Sequence, residues 1–159
     1  AKKTNIILIN VNNIQYSSSL VKDTYNLISD QRFFDQRASN KYNNEKIITL
    51  ENINSPLSVW YSYKNLGRDG FSEDPFIGIY HGCSVIYFAL QFAFHMNAKD
   101  IHVSGANFNY KNMHRAEQKK ILSLPDVVLS EFIKNYSKHI KPVFIKNKIK
   151  LTFSKGSLL

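Results

Sequence analysis

A single cysteine, Cys83, leaves no intrachain disulfide framework and no cysteine-built zinc site. Glycine is scarce, six in 159 residues, and none precedes Gly67. The apolar run near the N-terminus is therefore not followed by a glycine-rich phosphate loop, which excludes the P-loop and dinucleotide-binding fingerprints in the chain as it stands. There is no Asp-x-Asp pair, so the carboxylates that commonly hold a divalent ion on a nucleoside diphosphate sugar are missing. A donor with one phosphate leaves less charge to neutralise, and tyrosine hydroxyls or helix N–H groups suffice for it. Acidic side chains number 12 against 21 basic ones, a formal charge of +9. Only four of the basic residues are Arg, the planar fork that reads guanine bidentately, so base reading of nucleic acid is disfavoured. Long apolar runs are absent too. The stretch Phe76–Met96 is broken by Gly78, His81, Gly82, Gln91 and His95, and reads as buried in protein rather than in a bilayer. Lys2 and Lys3 are followed by an apolar run that ends at Asn10, too short for a signal peptide. A soluble, cytoplasmic domain of a reducing compartment is the expectation.

What remains is enough for one domain: 43% of the residues are apolar and 21% charged, a mix that buries a core. The positive charge is uneven. Phe132–Leu159 holds seven Lys and no Asp or Glu. Such a field suits a phosphorylated glycolipid or an anionic inner-membrane surface at least as well as nucleic acid. A solvated Lys-rich face, or a compositional bias toward Lys, Asn and Ile, is the plainer alternative.

Strand signals fall at Asn5–Val11, Thr24–Ser29 and Ile47–Leu50, with a polar helical segment over 13–22. The first is a continuous apolar run, as expected of a strand covered on both faces. Residues 52–75, rich in Ser, Asn, Gly and Pro, read as a loop or lid. Ser84 is placed to cap a helix over Val85–Met96, with Asn97 ending it in a left-handed conformation. A strand over Asp100–Ser104 and a second lid loop over 106–114 follow. Helices are expected at about 115–122 and 126–139, separated at Pro125, and closing strands at Pro142–Ile145 and Lys148–Phe153. The alternation predicts an α/β fold, a mainly parallel sheet flanked by helices in a single domain, 1–159.

Ligands of open α/β sheets bind at the carboxyl ends of the strands. Those ends carry Asn10, Asn12, Asp30, Arg32 and the stretch Gly105–Tyr110, and the central helix starts at His81 and Ser84. Backbone N–H groups and the helix dipole favour a phosphate there. Of the five histidines, His95 within a buried helix and His102 within a strand read as satisfied structural residues, and His139 as a residue compensating a helix dipole. His81 and His114 lie at the functional edge, where an imidazole is able to take a proton from an acceptor hydroxyl near neutrality. No pair has the spacing of a helical metal site.

The stretch Gly78–Tyr110, GIYHGCSVIYFALQFAFHMNAKDIHVSGANFNY, resembles the C-terminal half of bacterial glycosyltransferases that use CMP-activated acidic sugars. In the lipooligosaccharide sialyltransferases a T/S-G turn opens an apolar helix, followed by a strand of the form K-E-I-Y-L-S-G-x-D-F. Lys99–Phe108 is similar to that strand, with Asn107 where the family has Asp. Ile149–Leu159 resembles the last strand and N-S-L-L turn. Asn5–Arg37 and Gly70–Gly105 are closer to lipopolysaccharide core proteins that add an extra Kdo (3-deoxy-manno-octulosonic acid). Ile28–Arg37 resembles their L-T-D-x-R-F-x-x-Q-R segment.

The resemblance implies a GT-A-like, Rossmann-like domain and metal-independent inverting transfer from a CMP-linked acidic sugar to lipopolysaccharide or lipooligosaccharide. No cofactor is implied. Asn10 falls where the sialyltransferases place an asparagine near the nucleotide, Asp30 replaces a second such asparagine, and Ser84 falls at the turn facing the donor. The family's base is a lid histidine after the S-G-x-D-F strand, and the histidine that follows that strand here is His114, at a different spacing. Tyr110 sits one residue beyond a tyrosine that binds the leaving phosphate. The N-terminal strand with its G-x-G-P-S-type loop has no counterpart in this sequence. Two alternatives follow: a chain lacking its start, truncated at the N-terminus, or a divergent member that does not bind nucleotide. Beside the transferase stands a non-catalytic carbohydrate- or envelope-associated module of the same fold.

Overall fold

The computed structural model describes residues 6–11, 21, 23–29, 46–51, 59–104 and 124–154, the side chains of 124–128 excepted. Four strands, β1 (Ile7–Val11), β2 (Asp23–Ile28), β3 (Lys46–Leu50) and β4 (Tyr61–Tyr63), form a parallel sheet in the order β1-β2-β3-β4. Beyond β4 the same direction continues: Asn65 bridges Ile79 in parallel, and the His81 N–H donates to the Gly67 carbonyl at 2.9 Å. Helix α1 (Val85–His95) follows, then β5 (Asp100–Val103). Helix α2 (Leu124–Asn135) runs through a π-helical turn, Tyr136–Ile140, into α3 (Lys141–Lys146). Strand β6 (Lys150–Phe153) closes the described chain, paired in parallel with β5 as a second, two-stranded sheet. The architecture is α/β, a mostly parallel sheet flanked by helices in one small domain.

Helix α1 is apolar nearly all round because it is covered nearly all round. One stripe, Val85, Phe88, Ala89, Phe92 and Met96, packs on β1–β4 against residues such as Tyr25, Leu27, Ile48 and Tyr63. The neighbouring stripe, Ile86, Leu90 and Phe94, joins Ile101, Val103, Leu151, Phe132 and Phe144 in a second core. Between the stripes, Tyr87, Gln91 and His95 recur every four residues, about one turn apart. All three bind the backbone of the preceding loop. The Tyr87 hydroxyl donates to the Gly70 carbonyl at 2.7 Å, and His95 Nε2 meets the Ser72 carbonyl at 2.8 Å. Gln91 is fully buried: its amide N–H donates to the Tyr80 carbonyl, and its Oε1 accepts from Ser72 N–H at 3.1 Å.

Three expectations from the sequence fail. The stretch 52–75 is not loop throughout, because Tyr61–Tyr63 is β4, with Tyr63 buried in the core. Its aromatic–polar–aromatic alternation is a period-2 signal too short to stand out among Ser, Asn and Pro. Pro142–Ile145 is helix, not strand. The β-branched run favours a strand locally, but Pro142 falls in the first turn of α3, where its missing N–H costs nothing, and Phe144 is pulled into the second core. Pro125 likewise lies inside the first turn of α2 rather than between helices. The Ser84 cap and the left-handed Asn97 (φ +59°) are as expected. The segments 13–22, 106–114 and 115–122 lie outside the described residues, apart from Val21.

Candidate functional site

Topology gathers the candidate residues before any side chain is considered. Residues 79–81 run parallel to the chain after β4, and α1 begins directly beyond them. The start of α1 therefore follows the carboxyl end of a parallel segment, where open parallel sheets bind ligands.

The turn His81–Ser84 is built by backbone conformation. Gly82 (φ +54°) and Cys83 (φ +62°) are both left-handed, and the Ser84 N–H donates to the His81 carbonyl at 2.9 Å. Ser84 Oγ accepts the Ile86 N–H at 3.2 Å, and the first turn of α1 contains no acidic residue. The positive end of the helix is thus capped by a hydroxyl and unopposed by a carboxylate. His81 is half-buried. Burial, and secondarily the nearby Arg68 guanidinium, hold its pKa below the ordinary imidazole value. Its Nδ1 accepts the Cys83 N–H at 3.2 Å, so the proton of the neutral ring sits on Nε2. In this arrangement His81 offers a hydrogen-bond donor, with the lone pair a base would need already engaged.

Asn10 is the penultimate residue of β1, opposite Asn26 in the ladder. Tyr25 packs on Phe92 of α1, so alternation sends Asn26 and its partner to the other face of the sheet. Both are buried, and Asn10 Nδ2 donates to Asn26 Oδ1 at 3.1 Å. Asn26 Nδ2 is a buried donor with no acceptor among the described residues. Asn26 was hidden in the sequence because a polar residue inside an apolar strand carries no sign of which face it takes. Asp30, Asn107, Tyr110 and His114 lie outside the described residues.

His102 lies in a strand with both ring nitrogens bonded, as a structural histidine would be, and it does so on the outer face. Alternation along β5 turns Ile101 and Val103 inward and Asp100, His102 and Ser104 outward. On that exposed face His102 Nδ1 meets Thr152 Oγ1 at 2.9 Å and Nε2 meets Ser154 Oγ at 3.0 Å. Ser154 Oγ donates in turn to Ser104 Oγ at 3.2 Å. This polar ladder runs to the carboxyl ends of β5 and β6 themselves. The matched patterns D-I-H-V-S and K-L-T-F-S carried the signal, two polar faces waiting to be paired. An open hollow of about 320 Å³ lined by Leu66, Phe71, Glu73, Asp74, Ile77 and Tyr80 lies on the loop after β4, and its two carboxylates suit no phosphate. Among the described residues no cluster of three or more His, Cys, Asp or Glu side chains could hold a metal ion, and no helix is long and apolar enough to cross a membrane.

Comparison with protein-family models, with curated proteins and with solved structures finds no match.

Proposed function

We propose that this chain is a GT-A-like glycosyltransferase domain that moves an acidic sugar, Kdo or sialic acid, from a CMP donor to a lipopolysaccharide or lipooligosaccharide acceptor without a metal ion. The observation that carries the reading is the turn His81–Ser84 at the carboxyl edge of the sheet: a helix start with no carboxylate in its first turn, beside a neutral imidazole whose Nε2–H is a donor. A monophosphate diester suits that charge, and the resemblance of residues 78–110 to CMP-sugar transferases names the donor. In the transfer, the acceptor hydroxyl attacks the anomeric carbon and its proton passes to a base. The bond from that carbon to the phosphate oxygen breaks, and CMP departs with the electron pair. Helix N–H groups and His81 Nε2–H stabilise the leaving phosphate, while the resemblance gives the role of base to His114. Because His81 offers a donor and no free lone pair, a non-catalytic carbohydrate- or envelope-associated module of the same fold is the second reading.

Calorimetric titration of CMP into the chain tests the proposal. Saturable binding that survives EDTA is expected, weakened about 10–150-fold in His81→Phe, the scale of one hydrogen bond to a charged group. No affinity for CMP, or a strict need for Mg²⁺ or Mn²⁺, would sink it. Binding of core oligosaccharide with no affinity for CMP is the result the second reading expects.

A further inference from the structure

The loop after β4 presents two consecutive apolar residues to solvent, Phe76 at 89% exposure and Ile77 at 59%. The loop is held in shape by its own bonds. Ser72 Oγ donates to the Asp74 carbonyl at 2.8 Å, Phe76 N–H donates to Asp74 Oδ1 at 2.8 Å, and Ile77 N–H donates to the Asp74 carbonyl at 3.3 Å. Its base is pinned to α1 through Gln91 and His95. A pre-shaped turn that displays Phe and Ile outward loses hydrophobic free energy in water, and buries it only against something outside the described chain.

The surface beside the turn says what that is. Phe71 packs edge-on against Phe144 of α3, and Glu73 pairs with Lys146 at 4.0 Å, so loop and helix lie side by side. There α3 exposes Ile145 (68%) between Lys141 and Lys146, with Lys148 exposed just beyond. Residues 134–150 hold six Lys and no acid. Of the loop's acids, Glu73 pairs with Lys146 and Asp69 with Lys138 and His139, while Asp74 accepts the Phe76 N–H and keeps its charge beside the turn. Lys141 and Lys148 have no carboxylate partner among the described residues.

We propose that Phe76, Ile77 and Ile145 form the apolar centre, and Lys141 and Lys148 the basic rim, of a surface that docks on an anionic phospholipid bilayer. Apolar side chains enter the interface while lysines stay at the phosphates, the division of labour of interfacial anchors. Each lysine near such a surface strengthens binding about fivefold at moderate salt. The inference is independent of the transferase reading: it concerns a different face from the carboxyl edge and makes no use of CMP.

Flotation of the chain with vesicles of phosphatidylcholine alone, and of phosphatidylcholine mixed with phosphatidylglycerol, tests it. Binding is expected to the mixed vesicles only, and to fall as NaCl is raised. Phe76→Ser/Ile77→Ser should weaken it about tenfold or more, and Lys141→Glu/Lys148→Glu at least as much. All four side chains are exposed, so thermal unfolding of both variants should match the parent. A Phe76→Trp variant gives a direct readout, with fluorescence quenched by brominated lipid in the mixed vesicles beyond what Trp60 alone shows. Equal binding to both kinds of vesicle, no binding to either, or variants that float like the parent would overturn the proposal. So would loss of self-association in the Phe76→Ser/Ile77→Ser variant with flotation unchanged, which would make the patch a contact between copies.

Discussion

His95 sits where a helix side chain, a strand side chain and a loop carbonyl meet. Its Nε2–H donates to the Ser72 carbonyl at 2.8 Å, which leaves Nδ1 to accept from the Tyr63 hydroxyl at 3.3 Å. Burial lowers its pKa below the ordinary value, outweighing the Ser72 carbonyl and the Asp74 charge, which pull it upward. His81 is lowered too, by burial and then by Arg68. A depressed value in the folded state means the unfolded chain takes up the proton first as pH falls. The stability is therefore full above about pH 6.5 and is lost as pH drops through the folded values. Asp69 works in a more acidic window: the His139 contact, then Lys138, lower its carboxyl pKa, so its contribution is present above the usual carboxylate range and is lost in acid. Tm measured by calorimetry should be flat above about pH 7 and fall between about pH 6.5 and 5. His95→Gln keeps an amide donor for Ser72 and should lower Tm at pH 8 yet fall less steeply in that window. An unchanged slope would assign the dependence to His81. The satisfied character of His95 was legible in the sequence because it falls inside an apolar helix. The exposure of His102 was not, because it depended on which partner strand β5 would find.

At the scale of elements, the turn into α1 shows how two glycines with similar dihedral signs differ. A Cβ on Gly82 would lie 2.1 Å from Cγ of Tyr87, a ring that is fully buried and tethered through its hydroxyl to Gly70. Gly67 (φ +103°) has nothing within 4 Å of the same added atom. Gly67→Ala should cost about 1 kcal/mol, backbone strain alone. Gly82→Ala adds an overlap that the tethered ring cannot relieve, and should cost about 3 kcal/mol or more. Urea denaturation of both variants checks the contrast; similar losses would mean that Tyr87 moves freely. The helix and the longer strands were readable because their apolar periods span whole elements. β4 and α3 were not, and for one reason: Tyr61–Tyr63 and Pro142–Ile145 are short runs whose state is decided by neighbours, β3 on one side and the continuous α2–α3 helix on the other. The carboxyl edge was legible as a place, since strand order puts it there, while the donor character of His81 depended on a left-handed Cys83 that no sequence pattern announces.

Across the whole molecule, α1 belongs to two cores at once. Phe88 and Phe92 fill the core on β1–β4, and Leu90 and Tyr87 fill the core with β5, β6, α2 and α3. A shared helix couples them, because neither core can open without exposing one stripe of α1, and burial of such side chains is the main favourable term on both sides. The one tryptophan makes this measurable. Trp60 packs edge-on against Tyr25 with ring centroids 5.5 Å apart, so its fluorescence reports the β1–β4 side, whereas far-UV dichroism is dominated by the helices. Phe88→Ala removes a ring from the first core, at about 3–5 kcal/mol, and Leu90→Ala removes an isopropyl group from the second, at about 2–5 kcal/mol. If α1 transmits the loss, urea unfolding of Leu90→Ala followed by Trp60 should shift as far as the same transition followed by dichroism, although no atom near Trp60 has changed. Phe88→Ala should likewise shift both signals together. A Leu90→Ala variant whose dichroism melts early while Trp60 holds its parental midpoint would show that the two sheets are separate folding units joined only by the chain.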